Sequence, residues 1–195
     1  MLNRREFVQS GLCATALAAS GIALAKDASA LSIYKVVIDE RFAASRAFGA
    51  QAVRLGAGLL SMQGDVTSIW YSDLYHQWKK AQPGAIAGLT TDSSLFCLDI
   101  LARDVGMRVV YRGDHCTTNG AHFEHQAVGP NSVVREIEAL GKSAAWANTT
   151  ATALLACPKD GLRPAALRVG PSLSADADSA TSLVSWIIAP PAKRA

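Results

Sequence analysis

Three of the four histidines in the 195-residue chain fall within eleven residues, in Asp114-His115-Cys116-Thr117-Thr118-Asn119-Gly120-Ala121-His122-Phe123-Glu124-His125. Imidazole, thiolate and carboxylate are the ligands that zinc and copper take, and one loop can wrap several of them round an ion. The metal-ligand set this predicts is His115, Cys116, His122 and His125, although the spacing matches no metal motif. The same residues suit chemistry without a metal. His122 and His125 are close enough in sequence to act as acid and base. Cys116 beside a histidine is a nucleophile in outline, a reading weakened by the vulnerability of a reactive thiol in an oxidising compartment. A structural loop, with no chemistry, is the remaining alternative.

A second group of polar residues stands where short apolar runs end. Ile33–Ile38 runs into Asp39-Glu40-Arg41, Leu59–Met62 into Gly64-Asp65, Ala85–Leu89 into Thr90-Thr91-Asp92-Ser93-Ser94, and Met107–Tyr111 into Gly113-Asp114-His115-Cys116. Three charges directly after a buried strand exceed what a helix cap requires. Arg41 and Arg46 suit an anion, or pair with Asp39 and Glu40. Asp65 and Asp92 taken singly have the positions of ordinary helix caps. Thr90, Thr91 and Ser93 offer hydroxyls and backbone N–H groups at a helix start, a cradle for carboxylate or phosphate. The Gly spacing of a phosphate loop or a dinucleotide fingerprint is missing, so nucleotide is not invoked. The catalytic set predicted for this edge is Asp39, Arg41, Asp65, Asp92 and His115, with His122 and His125 folding over it.

The elements that must position these residues follow from periodicity. The four apolar runs are short and do not alternate strictly, as expected of strands buried on both faces. Between them, Phe48, Ala52 and Leu55 share one helical face, with Gly56 as a stop. Trp70, Leu74 and Trp78 share another, broken by Pro83-Gly84, and Tyr71 and Tyr75 lie beside it as contact candidates. A third helix runs from Asp92 through Leu95, Leu98, Leu101 and Val105 to Gly106. Ser132–Leu140 and Lys142–Ala156 read as helical, 163–178 as loop, and Leu183–Ile188 as a last strand before a Pro-rich tail. The fold class predicted is α/β: a single-domain open, mostly parallel sheet with helices on both faces, a Rossmann-like or flavodoxin-like three-layer arrangement. In such a sheet ligands bind beyond the carboxyl ends of the strands.

At the N-terminus, Asn3-Arg4-Arg5-Glu6-Phe7-Val8 precedes an uncharged run from Gly11 to Ala25, and small residues alternate in Ala23-Leu24-Ala25 and Ala28-Ser29-Ala30. The basic, apolar, small order resembles a bacterial twin-arginine signal. The resemblance covers residues 1–30 alone, leaves 31–195 as the α/β domain, and takes the second small triplet as the cleavage point. It implies a periplasmic protein, with the twin-arginine translocase and a signal peptidase as transient partners, that crosses the membrane folded, often with a cofactor or a partner protein. The apolar run is too short for a permanent membrane anchor.

Removing Arg4, Arg5 and Lys26 against Glu6 and Asp27 leaves 16 basic and 14 acidic residues, with no basic run and therefore no nucleic-acid surface. Cys97, inside an apolar helical pattern, is expected in the core, and Cys116 with Cys157 is the disulfide to test. Two functions are consistent with these features. One is a small-molecule or metal-ion site at the carboxyl edge, with acid–base catalysis if the protein is an enzyme. The other is a non-catalytic accessory subunit exported with a periplasmic oxidoreductase. A solute receptor is a weaker third, because such receptors need two lobes.

Overall fold

The computed structural model describes residues 29–80, 83–118, 122–141, 143–160, 162–165 and 182–191. The signal-like segment up to residue 28, most of the predicted loop after Arg163, and the end of the Pro-rich tail lie outside the described residues. Six strands form one sheet: β1 (Ile33–Asp39), β2 (Gly58–Met62), β3 (Ala85–Thr90), β4 (Arg108–Thr118), β5 (His122–Val128) and β6 (Ser182–Ala189), in the order β2-β1-β3-β6-β4-β5. Helices α1 (Ala43–Arg54), α5 (Asn131–Glu138) and α6 (Trp146–Leu155) cover one face. The other is covered by α4 (Asp92–Arg103) and a bent segment made of α2 (Thr67–Ile69), a π turn (Trp70–Leu74) and α3 (Tyr75–Trp78). The protein is thus a three-layer α/β domain.

The sheet is mixed rather than mostly parallel. β1 pairs in parallel with β2 and β3, whereas β6 runs antiparallel between β3 and β4, and β5 antiparallel along the outside of β4. The parallel half is built from βα units, whose crossover helices return the chain to the same end. β5 begins four residues after the end of β4 and runs antiparallel to it, so the chain reverses direction within a few residues. Every residue of β3 is buried, as is every residue of β6 after Ser182, while the edge strand β2 is mostly exposed. The mostly apolar runs in β3 and β6 have the pattern of strands covered on both faces.

Helix boundaries follow from local chemistry. Thr91 caps α4 by accepting the Ser94 N–H at 3.4 Å, and Gly106, at φ 76°, ends the turn after the helix. On α4 the inward positions are Leu95, Leu98 and Ala102. Cys97 falls on the far side of the helix circumference from these residues and is exposed, not in the core as expected. Cys116 and Cys157, the pair the sequence offers for a test of disulfide formation, are not bonded. Cys157 belongs to the cluster under α1, α5 and α6, whereas Cys116 contacts Ser182 on the opposite face of the sheet, so the two buried thiols are free. Trp70, Leu74 and Trp78 point inward as the spacing predicts, with Trp70 edge-on to Trp78 at 5.8 Å, and Tyr71 projects outward.

Candidate functional site at the carboxyl edge

β1 delivers its last residue, Asp39, into a wholly buried position at the end of the sheet. An unpaired carboxylate there would carry a large desolvation penalty. Arg41 supplies the partner. Its Nε and Nη2 donate to Asp39 Oδ1 and Oδ2 at 2.9 and 2.7 Å, and its backbone N–H donates to Oδ1 at 3.2 Å. Asp39 in turn raises the pKa of the guanidinium, chiefly through this hydrogen-bonded pair. The Asp39 N–H donates to Ser45 Oγ at 2.9 Å, and the Ser45 hydroxyl donates to the Leu89 carbonyl, tying β1, the first turn of α1 and β3 together. Below the guanidinium lies Gly64, at φ 86°. A Cβ there would sit 2.5 Å from Arg41 Cζ, so only glycine allows both the turn and the close approach.

The guanidinium remains half exposed and faces an open cleft of about 610 Å³ between α1 and the edge strand β2. Ile38, Ala50 and Leu59 supply its apolar wall; Arg41, Arg46, Glu40, Ser61 and Gln63 supply polar groups. Arg46 donates from Nη1 to the Glu40 carbonyl. A fork-shaped cation fixed from behind, a second cation beside it and an apolar wall together suit a small anion carrying a short aliphatic part.

Further along the same edge the predicted residues are occupied differently. Asp65 accepts the Thr67 N–H at 2.8 Å as a cap, and hydrogen bonds from Thr67 hold its pKa below the usual carboxylate range. Asp92 opens α4 and accepts from Arg112 at 2.7 Å, while Arg112 also grips Asp114 at 2.6 Å. Thr91 Oγ1 meets the Ser93 and Ser94 hydroxyls at 3.1 and 3.0 Å, and Ser94 Oγ donates to the Gly64 carbonyl. Thr90 is turned inward: its Oγ1 accepts the Trp186 N–H at 3.0 Å and donates to the Thr91 carbonyl. Asp39, Arg41, Asp65, Thr91, Asp92 and Ser93 therefore line the carboxyl edge. Thr90 does not face out from it.

The histidine-rich segment is not a loop. β4 continues through it to Thr118 and returns as β5, with His115 paired to His125 and Thr118 to His122 in register. Strand parity then divides the expected metal set. His115 and His125 share the face under α6, and Cys116 lies on the other. Among the described residues no three metal-ligating side chains converge.

His115 is instead the centre of a buried polar chain. Its Nδ1 lies 2.7 Å from His125 Nδ1, and its Nε2 lies 2.7 Å from Ser185 Oγ, which meets the Tyr111 hydroxyl at 3.0 Å. Trp146 lies over His115 with ring centroids 4.6 Å apart and also contacts Phe123 and His125. Burial pushes the His115 pKa down to about 3, with a further contribution from His125, so the ring is neutral. Burial lowers His125 as well, partly countered by the nearby backbone of Gly141. No described residue meets His125 Nε2 at hydrogen-bond distance.

The chain has two proton arrangements. In one, the Ser185 hydroxyl donates to His115, which donates to His125. In the other, His125 donates to His115, which donates to Ser185, and His125 Nε2 is left bare. Ser185 beside a histidine has the outline of a nucleophile, but Ser185, His115 and Tyr111 are all wholly buried and beyond a substrate's reach. Gly113 allows the packing: a Cβ there would lie 2.3 Å from the Tyr111 hydroxyl oxygen. Ser185 and Trp146 carry no sequence signal as site residues, because each comes from an element far along the chain, while Tyr111 and Ser45 lie nearby but read as ordinary strand and helix positions. Compared with known proteins, the chain matches no protein-family model, no curated protein and no solved structure.

Proposed function

We propose that this is an exported periplasmic α/β protein that binds a small anionic molecule in the cleft between α1 and β2. The observation that carries the reading is Arg41, clamped from behind by a buried Asp39 and open to the cleft in front, with Arg46 beside it. Preorganised donors bind a ligand without first losing side-chain freedom. The β2-β1-β3 half supports this if read as the doubly wound core of a flavodoxin-like sheet, where ligands sit beyond the strand ends. Binding is preferred to acid–base catalysis because among the described residues no histidine lines this cleft, and His115 is sealed behind the sheet.

The test is calorimetric titration with inorganic phosphate, butanoate and the neutral amide of butanoate. Binding of either anion, weakened at least about tenfold by Arg46→Gln, is the expected result. Arg46→Gln is the cleaner variant, since Arg41→Gln would strip Asp39 of its partner. Equal binding of the amide, or no loss in the variant, would sink the anion reading.

The accessory-subunit reading draws support from three exposed side chains, Tyr71, Phe96 and Ile100, which are 65, 63 and 49 % accessible. A stoichiometric cofactor-bearing partner recovered with the exported protein would favour it.

A further inference from the structure

The folded domain already includes residues that cleavage at the second small triplet would remove or sever. Ser29, Ala30 and Leu31 lie against the chain just after α6. The Leu31 N–H donates to the Cys157 carbonyl at 2.7 Å, and the Lys159 N–H donates to the Ser29 carbonyl at 3.0 Å. Ala30 and Pro158 form an antiparallel bridge, and the Leu31 side chain packs against the core under α1, α5 and α6. We propose that the leader is removed at the Ala25–Lys26 bond, after Ala23-Leu24-Ala25, and not at Ala30–Leu31. The inference rests on the export reading above.

A peptidase that selects small side chains at alternate positions must hold its substrate extended, with the backbone on both sides of the scissile bond free to enter its cleft. Around Ala30–Leu31 those backbone groups are taken: the Ser29 carbonyl and the Leu31 N–H are bonded to the segment after α6. Cutting there requires the docked segment to peel off and Leu31 to leave the core. A twin-arginine substrate crosses the membrane folded, so the docking is in place before the peptidase meets it. Lys26, Asp27 and Ala28 separate the first candidate bond from docked Ser29, a span of up to about 10 Å when extended. At that bond, water adds across the peptide: the C–N bond breaks, Ala25 leaves as a carboxylate and Lys26 becomes the new ammonium terminus. The mature protein then keeps the Ser29–Leu31 docking intact.

Intact mass and N-terminal sequencing of the full chain, expressed in an exporting bacterium and recovered from the periplasm, decide the matter. A terminus at Lys26 is expected, unchanged by Ala28→Leu and lost with Ala25→Leu. Ala28→Leu alters the second triplet alone and leaves the docked residues untouched. A terminus at Leu31, or processing blocked by Ala28→Leu but not by Ala25→Leu, overturns the inference while keeping the protein exported. Uncleaved chain retained in the cytoplasm overturns the export reading and this inference with it.

Discussion

Asp39 and His115 are both wholly buried polar residues near strand ends, both held by a serine that bridges strands, and yet they serve opposite purposes. Ser45 fastens the end of β1 to β3, and Asp39 then holds an arginine that opens to solvent. Ser185 fastens β6 to β4, and beyond it His115 meets another histidine, under the ring of Trp146. The difference lies in where each strand stops. β1 ends at Asp39, and the next residues turn outward. β4 continues past the edge of the parallel strands and carries His115 beneath α6. A polar residue near the end of the sheet is therefore a site only where its own strand stops.

Three measurements bear on this contrast. The largest effect is expected at the sealed end. His115→Ala removes a buried ring and leaves Ser185 and His125 short of a partner, so urea unfolding should show a loss of about 3–5 kcal/mol. Anion binding in the cleft should survive in whatever fraction remains folded. Coupled loss of binding, with the fold intact, would show that the two regions are one site.

The pH dependence of stability comes next. His115 and His125 have their pKa values lowered by burial, so between the unfolded value near 6.5 and the folded values the unfolded chain binds the extra protons. Stability from these groups is complete above about pH 6.5 and falls as pH drops toward 3, on the order of 1.4 kcal/mol per pH unit for each histidine still neutral in the fold. Unfolding midpoints between pH 7 and 4 check this; a flat profile would mean that the rings are more open to water than their packing implies.

The smallest effect is expected at the open end. Gly64→Ala forces a side chain into a left-handed turn and into the Arg41 guanidinium, at a cost of about 1–2 kcal/mol. Its sharper readout is weaker anion binding through a displaced Arg41. Unchanged affinity would detach Arg41 from the cleft's function.

Much of the fold is legible in the sequence, and the reasons are specific. β1, β3 and β6 are mostly apolar runs, and α1 and α4 carry inward residues at helical spacing with a glycine shortly after each C-terminus. The direction of β6 is not legible, because burial on both faces looks the same whether a strand runs parallel or antiparallel. The hairpin is masked by its own composition: histidine, cysteine and charge in place of the usual alternation of apolar and polar residues. At the carboxyl edge, the positions of Asp39 and Arg41 can be read locally, since charge after a buried strand is a local signal. That His115 belongs to a different station cannot. It depends on β6 lying beside β4 and on α6 crossing above both.

Among the described strands β6 comes latest in sequence, yet it lies in the middle of the sheet, between β3 and β4. A growing chain therefore cannot join its two halves until residues near 189 have left the ribosome: β2-β1-β3 on one side and the β4–β5 hairpin on the other each wait with an open edge. Such late, long-range closure slows folding and favours an all-or-none outcome. A chain cut short before Ser182 would present two unsatisfied strand edges to its neighbours. Under the folded export proposed above, the closing strand would double as a completion check.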